Sequence, residues 1–306
     1  MLPLLLAFVA ADLFELAGRF TPPEPASVSI FRVASPFTAN TLADDGRFTF
    51  KKLVPGAYTV SIFIPGKGEA RQTIEVGPAG ADNRRRVAIT LNLKDSDFVF
   101  RDVVARRHAV SAKQLSIPDK AVREYEAAQK DLARHATDDA IKHLERAVEI
   151  APQFATAWNN LGTIAYQTQK FLRAEECFRE ALQQQPDLYE PLVNLGGVLI
   201  NLRKLDEAYS YNLHAVLLRP NDALANSQLG MTYFELGNFE LAEKYLEKAA
   251  AIDAAHFSHP QLLLAEIHLR RGNTKAAAED LESFLKHHPD WPQAAVMREK
   301  IAGWKR

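Results

Sequence analysis

A single cysteine, Cys177, in 306 residues excludes any internal disulfide, so the chain must hold its fold by packing alone. Cys177 stands beside Phe178 in a helical pattern and reads as a small structural residue. Charge of one sign is also lacking: 37 Lys and Arg oppose 38 Asp and Glu, for a net charge of -1. That balance creates no field to gather nucleic acid, and Arg84-Arg85-Arg86 reads as a solvated turn, so no nucleic-acid partner is expected. Motifs for chemistry are missing too. Gly77-Pro78-Ala79-Gly80 is not followed by Lys-Ser or Lys-Thr, and no G-x-S-x-G elbow occurs. His256, His259, His287 and His288 sit near helix ends without an H-E-x-x-H pattern. No catalytic residue, no metal and no cofactor is therefore expected. No apolar run reaches the roughly 20 residues that a membrane helix needs. The short stretch Met1–Ala11 is apolar, ends in small residues and meets Asp12, like the end of a signal peptide. Residues 1–11 are read so, with export to the periplasm or the extracellular space; the alternative is a buried first strand in a cytoplasmic protein. No cysteine follows to carry a lipid anchor.

What the chain does have is a period. Pro152, Pro186 and Pro220 recur every 34 residues, as do Leu161-Gly162, Leu195-Gly196 and Leu229-Gly230, and Ala140, Ala174, Ala208 and Ala242. Within one period, Trp158, Leu161, Ile164 and Ala165 fall at helical steps, and Ala174, Phe178, Ala181 and Leu182 do so again. Each unit is thus two helices with one apolar stripe apiece, brought close at Gly162 and ended by Pro186. A lone pair cannot cover both stripes, so units must stack.

These residues closely resemble tetratricopeptide repeats, and the resemblance implies an all-α solenoid that works by binding. Five units span 121–154, 155–188, 189–222, 223–257 and 258–291, within a repeat region of 118–290. The first lacks the Leu-Gly pair, having Ala127-Ala128 there; the fourth has Ala254 where proline belongs, and the fifth is shifted one residue later. Residues 291–306 are read as a capping helix.

From Asp12 to Lys94 the pattern changes to alternation: Phe48, Phe50, Tyr58, Val60 and Ile62 point one way, Thr49, Thr59 and Ser61 the other. Turn signals at Asp45-Gly46, Pro55-Gly56, Pro65-Gly66 and Gly77-Pro78 divide about seven short strands. The run from Asp45-Gly46-Arg47-Phe48 to Pro55-Gly56-Ala57-Tyr58-Thr59-Val60, with Leu16-Ala17-Gly18-Arg19-Phe20, resembles the regulatory-like domain of carboxypeptidases. That resemblance implies a seven-stranded antiparallel β-sandwich over residues 12–94, an accessory module with no peptidase. Residues 95–117 link the two parts, and Pro118 marks the first helix start.

The candidate binding surface is the inner face of the solenoid. Asn160, Asn194 and Gln228 each precede a Leu-Gly pair at the same step. They resemble the asparagine ladder in the repeats of O-linked N-acetylglucosamine transferases, which implies side-chain amides that hold a peptide backbone; an amide offers both donor and acceptor. Tyr166, Gln167, Asn201, Phe234 and Glu235 lie further along the same helices and line the same groove. The alternative use of these polar residues is to tie neighbouring helices together. A clamp for acidic tails is not expected, because Thr163, Gly197 and Met231 are neutral. The expected function is a non-enzymatic scaffold holding a peptide or protein partner in the concave groove. A carbohydrate-binding surface module built on the β-sandwich, with the repeats as scaffold, is the alternative.

Overall fold

The computed structural model describes residues 13–32, 38–65, 67–98 and 116–305. The signal-peptide reading of 1–11 and most of the 95–117 linker lie outside them. Seven strands come first: β1 (Phe14–Thr21), β2 (Ala26–Arg32), β3 (Thr38–Ala43), β4 (Arg47–Leu53), β5 (Gly56–Ile64), β6 (Gly68–Val76) and β7 (Arg86–Asn92). They form a three-stranded sheet, β4-β1-β7, and a four-stranded sheet, β3-β2-β5-β6. Alternation decides which residues go inside. Leu16, Phe20, Phe48, Phe50, Val87 and Leu91 of one sheet share a single core with Val28, Ile30, Tyr58, Val60 and Ile62 of the other.

One pairing corrects the expectation of an antiparallel domain: β1 and β7 run parallel, in register from Glu15↔Arg86 to Thr21↔Asn92. Tight hairpins enforce antiparallel neighbours, but β1 and β7 are joined through all the other strands, so no short connection sets their direction. Gly46 turns the chain at φ 74°, and a Cβ there would meet Phe20 O at 2.9 Å. Tyr58 is buried, and its hydroxyl donates to Val54 O at 2.8 Å, which pins the segment leading into β5. Tyr58→Phe is expected to lower the stability of this domain by about 1 kcal/mol in urea unfolding, the net worth of one buried hydrogen bond.

Eleven helices follow among the described residues: α1 (Asp119–Ala133), α2 (Thr137–Ile150), α3 (Ala155–Gln167), α4 (Phe171–Gln184), α5 (Tyr189–Asn201), α6 (Leu205–Leu218), α7 (Ala223–Glu235), α8 (Phe239–Ile252), α9 (Pro260–Arg270), α10 (Thr274–His287) and α11 (Ala294–Trp304). The starts of α3, α5 and α7 are 34 residues apart, as are those of α2, α4, α6 and α8. The period becomes contact through glycine. A Cβ on Gly162 would meet the Phe178 ring at 2.6 Å, and one on Gly230 would meet Leu246 Cγ at 2.8 Å. In the third unit the Phe178 position is Asn212, fully buried, donating to Thr232 Oγ1 at 3.0 Å.

The two helices of each unit are joined by one recurring turn. His135, Gln169, Arg203, Gly237 and Gly272 all have φ between 59° and 78°. In each the next amide reaches back to close the helix, as Lys170 N does to Ala165 O and Asn238 N to Tyr233 O, both within 2.9 Å. Only two of the five positions carry glycine.

The strands and helices also meet. Ser61, Glu69 and Thr73, on the outward face of the four-stranded sheet, are buried, and Ser29, Thr59 and Phe63 are half-buried. That face rests on the helical array: β3 lies against α1, and β6 lies along the junctions between the later repeats.

Candidate functional site

The inner helices α3, α5 and α7 carry the amides in a column, all half-buried. Asn160 Nδ2 donates to Tyr125 Oη on α1 at 3.3 Å, and Asn194 Nδ2 donates to Asn159 Oδ1 on α3 at 3.4 Å. Gln228 lies over Gly197 of α5, where a Cβ would come within 2.5 Å of its Nε2, and its buried Oε1 has no partner. Each amide therefore reaches toward the preceding inner helix. The partners Tyr125 and Asn159 were not singled out by sequence, although they are themselves one period apart.

A second row lies toward the far end of the same helices. Tyr166 is exposed, packs edge-on against Phe171, and receives Asn201 Nδ2 at 3.4 Å. Asn201 also donates to Gly197 O at 2.9 Å, the local bond of a polar residue one helical turn on. Gln167 is half-buried beside them. Phe234 stacks edge-on with Phe239, and the Arg270 guanidinium sits 5.1 Å from the Phe234 ring centroid. Glu235 pairs with Arg203 of the neighbouring unit. The eight predicted residues thus fall into two rows, with Arg203 and Arg270 as additions that the period alone did not mark.

Further polar chemistry lies between the strands and the array. Thr73 N donates to Asp253 Oδ2 at 2.9 Å, and Ala79 N donates to Asp290 Oδ2 at 3.1 Å. Arg71 is 3.8 Å from Glu190, which also receives Arg219 at 3.8 Å. Burial works against the Arg71 charge, but Glu69, Asp222 and Glu190 outweigh it and hold the guanidinium above its ordinary pKa. Burial pushes the Asp253 carboxyl up although it accepts the Thr73 and Ala255 amides. Beside this contact is a cavity of about 270 Å³, walled by Arg32 and Glu75 on one side and by His259, His288 and Trp291 on the other. Burial drives the His259 imidazole down to about 4, so it is neutral at pH 7. Among the described residues, no three His, Cys, Asp or Glu side chains converge as a metal cage. Burial also pushes the Cys177 thiol up to about 11, which keeps it a thiol at neutral pH.

Comparison with known proteins agrees with the helical architecture. The family described as the cilia and flagella-associated protein 70 middle TPR-like domain matches residues 123–253, and the tetratricopeptide repeat family matches residues 261–290. The cell division cycle protein 16 homolog of Homo sapiens is 32% identical over 122 residues, 37% of this chain and 20% of that protein. BBSome complex member BBS4 of Xenopus tropicalis is 27% identical over 116 residues, 38% of this chain and 22% of that protein. The chain thus spans about a fifth of the length of these curated relatives. Among solved structures, MamA from Desulfovibrio magneticus RS-1 superposes with a TM-score of 0.51 at 20% identity, covering 58% of this chain and 99% of that one. PilW, a type IV pilus biogenesis factor, does so with a TM-score of 0.52 at 24% identity, covering 60% of this chain and 85% of that one. At such identities the likeness speaks for the fold. With the 34-residue period, the paired helices and these matches in agreement, the chain is a tetratricopeptide-repeat protein, matched as such over residues 123–253 and 261–290.

Proposed function

We propose that the chain is a non-enzymatic scaffold that holds an extended peptide or protein segment against α3, α5 and α7, with Asn160, Asn194 and Gln228 gripping its backbone. Tyr166, Gln167, Asn201, Phe234 and Glu235 then meet its side chains. The observation that carries this reading is the half-buried amide column, whose bonds to neighbouring helices are long. At 3.3 and 3.4 Å, these links are at the weak end for amide hydrogen bonds, so a peptide unit with better geometry displaces them at little cost. Gln228 Oε1, buried and unpartnered, gains a donor when a peptide N–H arrives. The name of one relative, a BBSome complex member, fits a part that works inside an assembly. We further take the front domain as a regulatory-like β-sandwich acting as an accessory, and the protein as exported on the reading of Met1–Ala11.

The test uses the full chain and a displayed library of random peptides. Peptides selected on the wild type should lose at least tenfold in affinity for Asn160→Ala plus Asn194→Ala, with unchanged circular dichroism. Equal affinity for both proteins would remove the column from the function. Loss of these half-buried amides should leave folding intact, since such substitutions away from the core are usually small in effect.

A further inference from the structure

Strand β6 is an edge strand. On one side it pairs with β5 from Gly56↔Val76 to Ile64↔Gly68, and on the other it meets the repeat junctions. The junctions present a row of acids: Glu190 at the start of α5, Asp222 before α7, Asp253 after α8 and Asp290 after α10. Along this row run Arg71 opposite Glu190, the Thr73 amide on Asp253, Glu75 within 3.7 Å of His288 Nδ1, and the Ala79 amide on Asp290. Two of these four contacts are carboxylates taking backbone N–H groups, one in the strand at Thr73 and one in the 3-10 turn at Ala79 just beyond it, and such contacts read a backbone whatever its side chains. The Arg71 contact reads a positive charge at longer range, 3.8 Å from Glu190, on a guanidinium that Glu69 of the same strand holds at 2.9 and 3.2 Å. At the same place His288 is only 2% exposed and its Nε2 has no partner, an unfilled hydrogen bond within the site.

We propose that the junction row is a strand-reading site, filled by β6 of its own chain. From another chain it takes an extended segment with an arginine two residues ahead of a free backbone N–H, the pattern of Arg71-Gln72-Thr73. Glu190 favours the arginine at that place, and an acidic residue there in its stead is repelled. Because the contact is made by charges and backbone groups rather than by a large apolar patch, one strand can replace the other. The row and the amide column share α5 but no residue, and the Arg71→Glu and the Asn160→Ala plus Asn194→Ala variants test the two ideas separately.

The experiment uses the full chain carrying Arg71→Glu, which opposes Glu190 and leaves the acids of the array untouched. The probe is a fluorescein-labelled peptide of residues 68–79, followed by anisotropy. The variant should bind it at least tenfold more tightly than the wild type, whose own β6 competes. A peptide carrying Arg71→Glu should not bind, and adding Asp253→Asn to the variant chain should remove most of the binding. Hydrogen exchange at the Thr73 amide should quicken in the variant while Tyr58 and Val60 stay protected, which shows that the strands remain folded. Arg71→Ala, with no new charge, should give the same order with a smaller change and serves if the reversal unfolds the domain. Equal binding by wild type and variant, no binding by the variant, or unchanged Thr73 exchange would each overturn the proposal.

Discussion

Replacing Phe178 with alanine is expected to lower the unfolding free energy of the array by about 3–5 kcal/mol, the range for deleting a buried aromatic ring from a packed core. Phe178 is 1% exposed and fills the space that Gly162 leaves between α3 and α4. The pair makes a second expectation. Gly162→Ala alone also destabilises, because its Cβ would stand 2.6 Å from the ring and both helix backbones resist moving apart. In the double variant the ring is gone and the new methyl enters the void. The two losses should therefore sum to more than the double variant costs, by roughly 1–2 kcal/mol of coupling. Urea unfolding followed by circular dichroism and by the fluorescence of Trp158, which lies in the same unit, checks both. Strict additivity would mean that the two residues do not share one space.

Acid should loosen the fourth and fifth units by way of His256. This side chain is 5% exposed, bonded through Nδ1 to Ser258 Oγ at 2.6 Å, and held down to about 3 by burial and then by the His259 charge. Below the ordinary histidine value of about 6.5 the unfolded chain takes up a proton that the folded chain refuses, so folding loses ground as pH falls. Its contribution is whole above pH 6.5 and shrinks continuously down toward pH 3. At about 1.4 kcal/mol per pH unit, the loss at pH 4.5 is about 2–3 kcal/mol from this residue alone. His259, depressed by burial to about 4, acts in the same direction. His268 works the other way: burial lowers it, but Asp280 at 2.7 Å and Glu243 at 2.9 Å outweigh that and raise it, so its share is present in acid and is lost as pH rises. Urea midpoints at pH 7 and pH 4.5 should therefore fall less for His256→Gln than for the wild type. An equal fall would show that His256 is not the group that resists protonation.

Much of the array was readable because its period is a contact rule. Gly162, Phe178, Gly230 and Leu246 touch as their spacing implies, and the alternation about Phe48 and Tyr58 puts those rings in one core. The failures have physical reasons. The parallel pairing of β1 with β7 has no local signal, since sequence neighbours fix direction only through short turns. Asn212 occupies a core position of the period, yet an asparagine in a helix looks like surface until Thr232 is seen beside it. The α9 start at Pro260 comes three residues later than a strict period would place it, because His259 turns the chain at φ 50° just before it. Left-handed turns at His135, Gln169 and Arg203 were hidden by the absence of glycine. Of the candidate site, the column was legible but its ties to Tyr125 and Asn159 were not, since they depend on how adjacent helices rotate against each other. The polar alternation of Arg71, Thr73 and Glu75 carries no sign of what covers that face; its docking on the array buries Thr73 and adds Glu190 and His288 as neighbours of Arg71 and Glu75.

The run of β6 across the junctions has a mechanical meaning. A solenoid of helix pairs is a spring, each unit touching only its neighbours, and it ordinarily changes pitch when it grips a ligand. Here a single strand, nearly inextensible because its backbone is already drawn out, is fastened to the third, fourth and fifth units at Glu190, Asp253 and His288. It splints the coil at one pitch over those three units, while β3 braces the first unit separately at α1.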